Sequence, residues 1–231
     1  MLEKGNVKIG KAYCYIFDKQ FPNDFCKTLM YDCEKRFREL GDIVELSFSE
    51  WKRPFYVFEL AEDNEAVSGK TYDRLIKCRI HIGYEGEMPM VHEEAHMIAF
   101  QKMGQMPYAW SEGFAEYIVA KYLGGIEQLG GKYGNYTDLD YSSGIEVILY
   151  CLTHDDQKLF DYLRKNNILY AMSLASIIFF IESEMGKHQL AQVQSLITKG
   201  LFEELNVLLT EKVIYQWVSW VKNLKHTKTQ R

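Results

Sequence analysis

The chain has only four prolines among 231 residues and no Cys-x-x-Cys pair among its five cysteines. It has no excess of basic residues and no apolar run long enough to span a bilayer. The scarcity of proline, beside an aromatic content of 14%, excludes a Pro-rich linker or low-complexity chain. The odd cysteine count and the missing spacing argue against a disulfide framework. Cys14, Cys26, Cys33, Cys78 and Cys151 read as reduced thiols of a cytoplasmic protein. Lys and Arg number 27 against 32 Asp and Glu, a net charge of −5, so the basic footprint of a nucleic-acid binder is lacking. The longest greasy stretch, ILYAMSLASIIFFI at 168–181, falls short of the roughly 20 residues a span needs and reads as a buried helix. The first ten residues, MLEKGNVKIG, have no apolar core of a signal peptide, and no membrane partner is expected. The chain has 47% apolar and 26% charged residues, the profile of an ordinary globular protein, and no internal repeat.

The patterning is strands first, then helices. Residues 6–17 alternate as a strand. Asn23 suits an N-cap for an amphipathic helix over 24–40 that Gly41 stops. Residues 43–48, 54–60 and 75–82 read as further strands, with 61–70 a polar surface turn. From 88 the period becomes helical: Val91, Ala95, Ile98 and Ala99 share a face, and Gly104 is the stop. Helices are expected near 110–123, 143–152, 156–166, 168–185, 188–199 and 211–224, with the basic tail KNLKHTKTQR frayed and solvated. The expected class is α+β, divided into lobes 1–104 and 105–231.

The segment HEEAH at 92–96 carries the chemistry. On a helix His92 and His96 stand one turn apart on one face, so both imidazoles can reach one metal ion. Glu93 can reach a water on that ion as a general base. Sixteen positions after His96 comes Glu112, in WSEGFAEY at 110–117. A turn around 104–107 can bring that second helix alongside, so that Glu112 completes a set of His, His and Glu and leaves a fourth position for water. Gly113 would permit close helix packing. Glu116, one turn on, is a candidate carboxylate partner for a ligand histidine.

HEEAH followed by WSEGFAEY resembles the gluzincin branch of zinc metallopeptidases, in which HExxH is followed by a Trp and an E-G-x-A segment whose Glu is the third ligand. The resemblance implies one zinc ion on His92, His96 and Glu112, Glu93 as base and a peptide or protein substrate. It also implies a zincin-like fold, a mixed sheet over the HExxH helix followed by a helical lobe. In the aminopeptidase relatives a tyrosine some sixty residues beyond the ligand Glu assists the transition state. Tyr170 occupies that place here, opening the buried helix on a polar stripe with Ser173 and Ser176, and Tyr133, Tyr136 and Tyr141 compete for the role. The relatives' Gly-x-Met-Glu-Asn segment is not kept, since GEMPM stands at 86–90. The strand RIHIG at 79–83 takes the place of the sheet-edge strand that pairs with substrate. His81, His154 and His188 have no ligand spacing and read as structural or surface residues. The alternative function is a catalytically silent zincin-fold binding or regulatory protein, which keeps the fold without turnover.

Overall fold

The computed structural model describes residues 5–129, 149 and 169–228. These form two units, Met1–Lys102 and Met103–Arg231. At the coarse level the structure is mixed, a five-stranded sheet with helices, compatible with the α+β class.

In the first unit β1 (Asn6–Ile9) and β2 (Cys14–Phe17) form an antiparallel hairpin. The single strand expected over 6–17 is thus two, folded at a turn where the Gly10 amide donates to the Tyr13 carbonyl at 2.9 Å. The helix α1 (Asn23–Ile43) then crosses to β3 (Phe55–Leu60), which runs parallel to β2. The hairpin of β4 (Ser68–Tyr72) and β5 (Leu75–Ile80) follows, with β5 parallel to β3. The order is β1-β2-β3-β5-β4. Alternation along these strands sends Tyr15, Phe17, Tyr56, Phe58, Ile76, Cys78 and Ile80 to one buried face. Their rings stack, Phe17 on Phe58 across the β2–β3 pair at 5.2 Å and Tyr56 on Phe58 along β3 at 4.4 Å. The helix α1 buries Cys26, Leu29, Cys33, Arg36, Phe37 and Leu40, a stripe of period near 3.6. The helix α2 (Met90–Met103) closes the unit and ends at Gly104, whose φ of +94° suits a residue without a side chain.

Several sequence expectations change here. Asn23 is inside α1 rather than at its cap, which falls on Pro22, and Gly41 does not stop the helix. Residues 43–48 are not a strand. The Leu46 amide returns to the Gly41 carbonyl at 2.9 Å, so the alternating apolar residues there wrap the helix end instead of pairing. Part of the stretch expected as a turn over 61–70 belongs to β4, whose polar composition (SGKTY) is that of an edge strand. Among the described residues the edge strand at this end of the sheet is therefore β4. The segment 79–83 begins within β5, which lies between β3 and β4.

The described residues of the second unit are helical. It holds α3 (Tyr108–Leu123), a 3-10 turn (Ile126–Gln128), α4 (Leu169–Phe180) with a π-helical turn (Ile181–Met185), α5 (Lys187–Thr198), α6 (Phe202–Leu208) and α7 (Glu211–Lys228). The helix α6 has no counterpart in the sequence reading, and α7 runs to Lys228, into the tail expected to fray. The helices α3 and α4 touch where Gly113 sits: a Cβ there would stand 2.5 Å from Leu174 Cβ. One and two turns on, the Tyr117 and Phe179 rings meet at 4.7 Å and Lys121 pairs with Glu182 at 2.7 Å. Ser173 and Ser176 do not face water. Both are buried, Ser176 donates to the Ser173 carbonyl at 2.8 Å, and the Trp217 indole of α7 donates to Ser176 at 3.0 Å. Tyr133, Tyr136, Tyr141, Cys151, His154 and the helices expected over 143–152 and 156–166 fall in 130–168, where the structure describes only residue 149. Cys14, Cys26, Cys33 and Cys78 are free thiols, and among the described residues no helix is long and apolar enough to cross a membrane.

Candidate metal centre

The helix α2 is buried almost all round, through Met90, Val91, Glu93, Glu94, Ala95, Met97, Ile98 and Ala99. His92, His96, Phe100 and Met103 form a half-buried stripe; Gln101 is half-buried as well, and Lys102 in the last turn is exposed. The two histidines thus share a partly accessible line of a helix that is otherwise interior until its last turn. Their Nε2 atoms are 3.1 Å apart and their rings stand at 85°. Two ligands of a tetrahedral ion bound at about 2.0–2.1 Å are separated by about 3.3 Å, so this pair fits a shared cation. One ligand atom each from His92, His96 and Glu112 lie within 4.8 Å of one another, and the group can hold a metal ion. A hard-soft set of two imidazoles and one carboxylate, all half-buried, suits a divalent ion with room for water.

Glu93 leaves the helix on another side and is 7% exposed. There it meets β4. The Thr71 hydroxyl lies 2.7 Å from Glu93 Oε2 and 2.9 Å from the Glu93 carbonyl, donating to both acceptors. Gly69, two residues back on the same face of the strand, makes room: a Cβ there would lie 2.5 Å from Glu93 Cγ. Glu94 points to a third side, into the interior. The Arg36 guanidinium of α1 grips it in a bidentate pair, Nε to Oε2 at 3.0 Å and Nη2 to Oε1 at 2.9 Å. Burial works against the Arg36 charge, but the Glu94 carboxylate outweighs it and raises the guanidinium's pKa above its usual value.

In the second unit Glu112 is half-buried near the start of α3, and Glu116 is half-buried one turn later. Tyr108 stands one turn before Glu112, and both the Glu112 carboxylate and the Tyr170 phenol act on its hydroxyl. Burial, then the Glu112 carboxylate, push the Tyr108 pKa well above that of an ordinary phenol. Tyr170 is 6% exposed. His81 bonds the Glu65 carbonyl at 3.0 Å, and His188 is exposed on the first turn of α5. Neither is part of the His, His and Glu group.

Sequence reading passed over Thr71, Gly69, Arg36, Glu94 and Tyr108. Two of these carried a signal. Glu94 is an acid on the apolar face of α2 and calls for a buried cation, and Tyr108 precedes Glu112 by one helical turn. Thr71 and Gly69 carried none, because only the β4–β5 pairing puts them over α2. No family model, curated protein or solved structure matches this chain.

Proposed function

We propose that the protein is a zinc-dependent metallopeptidase of gluzincin type with a zincin-like fold. The observation that supports this reading best is the grouping of His92, His96 and Glu112, with Glu93 next to the first histidine. His92 and His96 would hold the ion from α2 and Glu112 from α3, with Glu116 as a carboxylate that orients a ligand imidazole. A bound zinc supplies a low-pKa water and polarises the scissile carbonyl. Glu93 takes the proton of the attacking water and returns it to the leaving amine. The peptide nitrogen departs as a neutral amine, so the proton count closes on Glu93. Tyr170 donates a hydrogen bond to the carbonyl oxygen as negative charge gathers there.

Metal binding is the first test. Protein stripped by a chelator and titrated with Zn²⁺ against a chromophoric chelator should bind one equivalent. His92→Ala, His96→Ala and Glu112→Ala should each weaken binding by about 10²-fold or more, since losing a direct ligand costs at least as much as losing its outer partner. Parent protein that takes up no zinc, or His92→Ala binding as the parent does, would refute the site. For Tyr170→Phe, turnover of a cleaved peptide should fall about 10²-fold with KM nearly unchanged, because the hydroxyl acts only as charge develops. An unchanged kcat would take Tyr170 out of the mechanism.

A further inference from the structure

We infer that Thr71 is the positioning residue of Glu93, and that β4 is built to hold that carboxylate. The inference rests on the hydrolytic reading above. Three observations carry it. The hydroxyl of Thr71 spans two atoms of one residue, the Glu93 carbonyl at 2.9 Å and Oε2 at 2.7 Å. A bridge of this kind ties the side chain to its own backbone and selects one rotamer of a long, flexible acid. Gly69 supplies the space, since a Cβ at 69 would sit 2.5 Å from Glu93 Cγ and 3.0 Å from Oε1. Both residues lie on the same face of a strand that, among the described residues, pairs with β5 alone, and that face meets α2 at Glu93.

The chemistry follows from which oxygen is bonded. Thr71 engages Oε2, and Oε1 takes no part in the bridge. The water's proton is then received on Oε1. After protonation Oε2 is the carbonyl oxygen of the acid and still accepts from Thr71, so the hydrogen bond persists through both states. No proton passes through Thr71. Its work is to keep Oε1 aimed while Glu93 alternates between base and acid, and it touches no reacting atom.

The test compares Thr71→Val, which keeps the branched strand-forming shape, with Thr71→Ser, which keeps the hydroxyl. The probe is one internally quenched peptide, selected from a random library by the full-length zinc-loaded parent. Thr71→Val should lower kcat about 10- to 100-fold at a KM within twofold, and Thr71→Ser should recover most of that loss. Crystal structures supply a second readout. The Glu93 carboxylate should leave its place in Thr71→Val and keep it in Thr71→Ser. Thr71→Ala takes over if the valine variant does not fold. A Glu93 carboxylate that stays in place without the hydroxyl, or a serine variant as slow as the valine one, overturns the inference. If the parent itself cleaves no peptide, the hydrolytic reading fails, and the crystal structures still decide whether Thr71 holds Glu93.

Discussion

Glu93→Gln should bind one zinc ion, melt within a few degrees of the parent and lose turnover by about 10³-fold or more. The glutamine keeps the size of the side chain and an amide oxygen that can accept from Thr71, so the contacts with β4 at 2.7 and 2.9 Å have a direct replacement. It lacks only the capacity to take a proton. None of His92, His96 and Glu112 is altered, so metal affinity measured by chelator competition should match the parent. Hydrolysis of the selected peptide by the variant at the parental rate would remove Glu93 from the chemistry.

Breaking the Arg36–Glu94 pair should have the largest effect on stability. Glu94 is fully buried and Arg36 is 3% exposed, so neither charge can turn to water when its partner goes. Removing one partner of such a pair costs about 3–5 kcal/mol. For a chain of this size that is a fall in melting temperature of about 10 °C. Glu94→Ala leaves the guanidinium beside Cys33 and Met90, at 3.2 and 3.9 Å, with no carboxylate to bond. The double replacement Arg36→Met with Glu94→Leu should recover most of the loss, because apolar side chains of similar volume fill the space without a desolvation cost. Thermal melts of the two single variants and the double one decide it. A double variant as unstable as Glu94→Ala would mean that shape, not charge, dominates there. The pair also bears on the candidate metal site. It joins α1 to α2 on the side of α2 away from the histidines, and so fixes the rotation of α2 that leaves His92 and His96 on its accessible stripe.

Local pattern was enough where one element settles its own environment. The 3.6-residue spacing of Val91, Ala95 and Ile98 marked α2, and the histidine spacing put both rings on one line of it. Alternation marked β3 and β5 to within two residues. Gly104 ended α2 because a positive φ there costs a glycine little. Local pattern misled at 43–48, where alternating apolar residues have no strand to pair with, and at 61–70, where an edge strand is polar enough to pass for a turn.

By itself, then, the sequence determined which residue types meet within one helical turn: His92 with His96, Glu112 with Glu116, Tyr108 with Glu112. These separations are set by the rise and pitch of a helix, which do not depend on the rest of the chain. Tertiary structure alone decided what each carboxylate of HEEAH faces. Strand order placed β4, not the segment 79–83, at the sheet edge, and thereby put Gly69 and Thr71 against Glu93. The packing of α1 on α2 turned Glu94 into the buried partner of Arg36, 58 residues away in sequence. The same letter, Glu, occurs at 93 and 94, and the 100° between successive residues on a helix sends the two side chains to different neighbours. Those neighbours come from distant segments, and only the folded chain brings them together.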